Sequence, residues 1–262
     1  LIGLELGWFN LRAMGFLIHH MRSLVRQVLE AASSFFTVFA SRKEARYAGL
    51  IESVPDIPDA SAYSGDEFLS HVAASPQFEK CNRFFADTAP WNEGLVHAAA
   101  LALLYYAARA TKPAIAVEIG TSRGWTAQVL AYAAAANDRG VVHTVGPYDA
   151  WRFLPRFARW PRRLRRHLKF HAVNSAEFFQ NRLAKTDRIG LAFIDGNHDY
   201  EFSLFDIQCA ARAITPLGLI FVDDVDQAGP LRAVDDFLAN NPAWRRWIGG
   251  PAAGFGILQA PA

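Results

Sequence analysis

Residues Ala114-Ile-Ala-Val-Glu-Ile-Gly-Thr-Ser-Arg-Gly-Trp-Thr126 constrain the fold more than any other stretch of the chain. An apolar run from Ala114 to Ile119 carries an acid, Glu118, at its end. Gly120 and Gly124 follow, and then an alanine-rich helical pattern from Trp125 to Ala136. The order is strand, tight glycine turn, helix: the first half of a βαβ unit. Folds of this kind bind ligands outside the carboxyl ends of their strands, where glycine lets the backbone approach closely. The spacing Glu-x-Gly-x-x-x-Gly lacks the three glycines of a dinucleotide fingerprint, and the absence of a phosphate-binding lysine excludes a P-loop.

The remainder repeats the alternation. Strands are predicted at 141–145, 168–173, 190–194 and 218–222. Helices are predicted at 124–137, from Ser175, at 199–214 and at 230–239. A closing hairpin, 244–248 with 255–259, would add an antiparallel edge strand. The expected fold is α/β, a doubly wound, mostly parallel sheet covered on both faces. Ahead of it, residues 1–91 read as a helical extension and cap, and residues 92–262 as the α/β domain. Leu11, Met14, Ile18, Met21, Val25 and Val28 recur at three- and four-residue spacing. That stripe suits packing on its own domain or on a second subunit of a homo-oligomer. Trp8, Phe9, Phe16 and the nearby arginines also suit a helix on a membrane surface. Packing is the favoured reading. Prolines 55, 58, 76 and 90 break the segment that follows.

Apolar residues make up 52% of the chain, enough for a sizeable core, yet no early stretch is long enough for a membrane span. Glu5 and Arg12 interrupt the place of a leader's apolar core, and Cys81 and Cys209 lack CxxC spacing. These features set the expectation of a cytoplasmic protein, membrane-peripheral if the N-terminal helix lies on a bilayer. The net charge of +2 conceals an asymmetry. Eight basic residues and no acid lie between Trp151 and His171; removing those 8 from 27 leaves 19 against 25 acids, near −6. Arginines interleaved with Trp151, Phe153, Phe157 and Trp160 suit an anionic group on a small-molecule acceptor. A solvated helix with its aromatic side buried explains them equally well. The acidic remainder argues against a nucleic-acid partner.

Three strands end in acids: Glu118, then Asp195-Gly-Asn-His-Asp-Tyr200, then Asp223-Asp224. Neighbouring strands lie about 4.8 Å apart, so these ends converge on one crevice. If the fourth and fifth strands are neighbours, Asp195, Asp223 and Asp224 approach a common point; one of them then keeps a proton or a cation neutralises them, and hard oxygen donors favour Mg²⁺, Mn²⁺ or Ca²⁺. The alternative is that each aspartate only caps a helix or turn.

Val117-Glu-Ile-Gly-Thr-Ser-Arg-Gly124 resembles motif I of class I S-adenosylmethionine (SAM) dependent methyltransferases. Phe193-Ile-Asp-Gly-Asn-His-Asp-Tyr200, with Asp206 beyond it, is similar to the D-G-x-H-x-Y…D signature of methyltransferase family 24, which includes macrocin-type sugar O-methyltransferases. Pro216-Leu-Gly-Leu-Ile-Phe-Val-Asp-Asp224 resembles that family's P-G-G-x-x-x-x-D-D segment, with Leu217 in place of a glycine. The resemblance spans roughly residues 92–240. It implies a Rossmann-like class I fold and methyl transfer from SAM to a hydroxyl of a small molecule, a sugar or glycoconjugate. It implies that Glu118, Gly120, Thr121, Ser122 and Gly124 cradle the methionine end of SAM, with Glu118 facing its ammonium and Gly120 leaving room for the cofactor. Asn174 and Ser175 would lie near the adenine. Asp195, Asp223 and Asp224 would hold Mg²⁺ or Mn²⁺, Asp195 serving catalysis as well, and His198 would accept the hydroxyl proton. One departure stands out. Relatives end the second strand with an acid for the ribose diol, and this chain has Gly146 there; Asp149 substitutes only if the loop curls back. A non-catalytic binding or scaffolding protein on the same frame, working through the basic insert and the N-terminal helix, is the competing reading.

Overall fold

The computed structural model describes residues 98–248 and 254–262. The helix expected over 1–48, the broken segment after it and part of the closing turn lie outside the described residues. The described chain begins with helix α1 (Ala98–Thr111), strand β1 (Ile115–Ile119), α2 (Trp125–Ala136) and β2 (Val141–Val145). The basic insert follows as α3 (Ala150–Phe157) and the single turn α4 (Arg162–Arg165). Next come β3 (Leu168–His171), and α5 (Ser175–Glu177) with a π-helical turn, Phe178–Arg182. The chain continues through β4 (Ile189–Ile194), α6 (Tyr200–Ala213), β5 (Ile214–Asp223) and α7 (Ala228–Asn240), and ends with β6 (Arg245–Ile248) and β7 (Phe255–Gln259).

The seven strands lie in the order β3-β2-β1-β4-β5-β7-β6. The first five are parallel, and β7 runs antiparallel between β5 and β6. The strand order reverses between β1 and β4, the switch point at which such sheets open a crevice. Alternation along the strands sorts side chains onto two faces. Val117, Ile119, Val145, Ala192, Ile194, Ile220 and Val222 form one core with Ile207 and Ala210 of α6 and Val234 and Phe237 of α7. On the other side α2 packs on β1 and β2, with α1 and α4 against it. Alanine along α2 lets it be buried nearly all round, from Thr126 to Ala134. The expected doubly wound α/β fold is therefore the fold observed.

Two elements depart from expectation. Strand β5 starts at Ile214, directly after α6, where a turn is predicted over 215–218. Its pairing with β4 jumps from Ile189↔Ile214 to Leu191↔Leu219, so Thr215–Gly218 loops out of a continuing strand. Pro216, which cannot donate to a ladder, and Leu217, at φ +58°, account for the excursion. The closing hairpin supplies two strands, one of them internal to the sheet.

Candidate active site

The glycine turn sits at the carboxyl end of β1, tied to both neighbouring strands. Gly120 N–H donates to the Val145 carbonyl at 2.9 Å, and Asp195 N–H donates to the Ile119 carbonyl at 2.8 Å. Gly120 has φ +102°, and a Cβ there would collide with the Asp195 carbonyl. Its glycine thus answers backbone geometry and the close approach of β4, where room for a cofactor was expected. Gly124 closes the turn at φ +79°; a Cβ there would lie 2.5 Å from the ring of Phe153 in α3.

Beneath the turn runs a hydroxyl chain. Thr144 lies opposite Glu118 in the β1–β2 register and donates to its Oε2. That uses the one Thr144 proton, so Thr121 donates to Thr144, at 2.7 Å. Glu118 is 1% exposed. Burial pushes its carboxyl well above the ordinary value, against the lowering effect of the Thr144 bond. A cation brought beside it would favour the ionised form and offset that cost of burial.

The end of β2 holds the answer to the missing acid. Ser122, at φ +44°, donates its N–H to Asp149 Oδ2 at 3.0 Å. That same oxygen occupies the space a side chain at Gly146 would need, with Thr121 Oγ1 2.9 Å from the hypothetical Cβ. Asp149 has therefore curled back over Gly146, and a side chain at 146 would displace its carboxylate.

At the ends of β4 and β5 three side chains meet. His198 Nδ1 is 3.1 Å from Asp224 Oδ2, and Nε2 is 3.5 Å from Asp195 Oδ1. Among the described residues, Asp195, His198 and Asp224 form a group whose ligand atoms all lie within 4.8 Å of one another. Two oxygens and an imidazole nitrogen fit a divalent cation, and the nitrogen shifts preference from Mg²⁺ towards Mn²⁺ and softer ions. Asp224 reaches the group because its backbone turns left-handed, at φ +53°, a conformation aspartate tolerates. Asp223, expected in the metal set, is outside this group. It is buried, and desolvation, with Asp195 and Asp224 adding to it, pushes its carboxyl up to about 8. The contact with Asp195 raises the His198 pKa, with Asp224 contributing, and desolvation raises that of Asp195.

The loop carrying His198 is held from three sides. Asn197 Oδ1 accepts the Asp199 N–H at 2.8 Å. Gly229 in the first turn of α7 packs so closely on the His198 carbonyl that a Cβ there would clash. The Tyr200 hydroxyl donates to Asp236 at 2.8 Å under the Arg232 guanidinium, fixing α6 to α7.

Residues 117–225 match the model of methyltransferase family 24, described as a methyltransferase domain. The described fold is that of class I methyltransferases. Solved structures support this. The O-methyltransferase TomG from Streptomyces achromogenes, solved with SAM, is 17% identical, with TM-score 0.52, covering 77% of this chain and 98% of its own. An O-methyltransferase from Bacillus cereus, in complex with SAH, is 16% identical, with TM-score 0.51, covering 76% and 97%. A methyltransferase from Geobacter sulfurreducens is 15% identical, with TM-score 0.52, covering 74% and 94%. No curated protein matches the sequence. No described helix is long and apolar enough to cross a membrane.

The remaining expected site residues have protein partners. Asn174 Oδ1 accepts the Glu177 N–H at 2.8 Å and caps α5. Ser175 hydrogen-bonds Asp206, whose other oxygen, Oδ1, is buried without a partner. Burial pushes Asp206 up to about 6 from an ordinary value of 3.8. The unfolded chain therefore releases this proton first, and between about pH 4 and 6 the folded state binds more protons. Stability contributed at this position accordingly falls as pH rises through that window. Asp206→Asn should be more stable than the parent at pH 8, by about 2–3 kcal/mol, with the gap closing towards pH 4. Urea unfolding at both pH values measures this; an Asp206→Asn protein less stable than the parent at pH 8 would contradict it.

Thr144 and Phe153 are site residues that the sequence does not single out. Thr144 carries no motif and matters only through its register with Glu118. Phe153 looks like one aromatic among several in the insert.

Proposed function

We propose that the protein transfers a methyl group from SAM to a hydroxyl of a small molecule, a sugar or glycoconjugate, with a divalent cation held by Asp195 and Asp224. The observation that carries this reading is the convergence of Asp195, His198 and Asp224 at the sheet rim beside the glycine turn. The names of TomG and the Bacillus cereus protein, both O-methyltransferases, favour oxygen as the acceptor atom.

SAM, when bound, supplies an electrophilic methyl on a sulfonium; a bound divalent cation supplies Lewis-acid polarisation of the acceptor oxygen. The chain's own residues do the rest. Glu118, buried beneath the turn, favours a positive charge above it. The Asp149 carboxylate, already fixed by the Ser122 N–H, is the hydrogen-bonding group for a ribose diol in place of an acid at 146. His198 takes the acceptor proton at Nε2, whose 3.5 Å contact with Asp195 is the looser of its two. Transfer then depends on proximity and alignment at a rim whose backbone is already fixed. With Asp149 over Gly146, a glycine at the end of β2 no longer argues for a non-catalytic relative.

Calorimetric titration with SAM, with and without Mn²⁺ or Mg²⁺, tests the reading. Saturable binding is expected in both cases, with the cation required for methyl transfer to a hydroxyl acceptor. No binding under either condition would refute it.

A further inference from the structure

Helix α3 has two opposed faces, and the site described above uses only one. Asp149, Phe153 and Arg156 share a side at helical spacing and fasten the helix to the glycine turn. Asp149 holds the Ser122 N–H, Phe153 lies on Gly124, and the Arg156 guanidinium stacks 4.3 Å over the Trp125 ring. The opposite side presents Trp151 and Leu154, continued by Tyr148 in the turn before the helix, and the three are 69%, 46% and 85% exposed. Single exposed apolar residues are ordinary on protein surfaces. A ridge of three on one short helix and the turn that leads into it, two of them aromatic, is a feature of contact surfaces. Its surroundings are basic: Arg152 stacks 4.7 Å over the Trp151 ring, and Arg162 and Arg165 of α4 are exposed. No acid occurs between Ala150 and Ala176.

We propose that this ridge docks the protein on an anionic lipid bilayer, Tyr148 and Trp151 seating at headgroup level, Leu154 in the acyl boundary and the arginines on lipid phosphates. Tyrosine and tryptophan prefer such interfaces because each has an apolar body and a polar tip. Arginine adds attraction to anionic headgroups, about 1 kcal/mol for each residue near the surface. Charge complementarity decides for a bilayer over a long polyanion. The chain outside the insert is net acidic, near −6. That net charge repels a long polyanion, and the ridge offers apolar side chains that an acyl boundary accepts and a phosphate backbone does not. Docking by the free face leaves the fastened face on the glycine turn, so the rim of the site is held beside the membrane. The inference concerns binding only and stands independently of methyl transfer.

Co-sedimentation of the full chain with phosphatidylcholine vesicles, and with vesicles containing about 30 mol% phosphatidylglycerol, tests it. Binding is expected to the anionic vesicles, weakening as salt is raised. Trp151→Ser/Leu154→Ser and, separately, Arg162→Glu/Arg165→Glu should each weaken it at least about tenfold. All four positions are solvent-facing, so an unchanged melting midpoint in each variant separates lost docking from lost folding. Failure to bind anionic vesicles would overturn the proposal, as would equal binding to neutral ones. Parent-like binding by either double variant would overturn it too, whichever other segment of the chain then holds the membrane. Preference for single-stranded DNA over vesicles would replace the bilayer with a polyanion.

Discussion

Replacing His198 by alanine is expected to lower kcat about 10²–10⁴-fold, the usual worth of a positioned proton acceptor, with little change in the Kd for SAM. Asp195→Ala and Asp224→Ala should each cut turnover at least about 100-fold, beyond what losing an outer-shell partner of a metal costs. Those two should also weaken divalent-ion binding, which titration with Mn²⁺ followed by electron paramagnetic resonance reads directly. The pairing of the two measurements assigns the roles. A His198 variant that keeps Mn²⁺ affinity and loses kcat marks the imidazole as the base; one that loses Mn²⁺ affinity marks it as a ligand. Parent-like turnover in both aspartate variants would remove the cation from the reaction. Asp223→Asn is the contrasting case. Asp223 is buried and lies outside the group of Asp195, His198 and Asp224, so the amide should be tolerated.

The second large effect belongs to the exchange between positions 146 and 149. Asp149→Ala should raise the Kd for SAM about ten- to a hundredfold, the loss expected for hydrogen bonds to a charged group. Gly146→Ala should do much the same although it removes no polar atom. Its methyl would collide with Asp149 Oδ2, forcing the carboxylate away from the Ser122 N–H. Gly146→Asp with Asp149→Ala moves the acid back to the strand end and should recover part of the affinity. Calorimetry on the four proteins tests the set. Gly146→Ala binding SAM as tightly as the parent would show that the curl of residues 146–149 has no bearing on the cofactor.

Much of this architecture is readable from residue order, for a physical reason. Strands β1, β2 and β4 are short apolar runs whose ends carry glycine or acid, and parallel pairing brings such ends to one rim whatever the loops do. Glu118 and Asp195 are placed by that rule alone. The rule does not say which of two adjacent aspartates enters the crevice. Asp224 does so because the chain turns left-handed one residue beyond β5, while Asp223 stays in the strand and is buried. Nor does spacing reveal that Asp149 would fold over Gly146, since that depends on the path of a loop. Thr144 became part of the site through register, and Phe153 through contact with a glycine distant in sequence. The excursion at Thr215–Gly218 was legible as a turn but not as a turn inside a strand, because pairing on both sides of it is set by β4.

Strand β7 comes last among the described strands yet lies inside the sheet, paired with β5 from Leu219↔Gln259 to Asp223↔Phe255. Val225 N–H, one residue beyond Asp224, donates to the Gly254 carbonyl at 3.1 Å. During synthesis, therefore, β5 presents an unpaired edge until residues 255–259 have left the ribosome, and such edges recruit foreign strands. A nascent chain halted before Gly254 would hold every residue of the candidate site and still lack the partner that steadies Asp224.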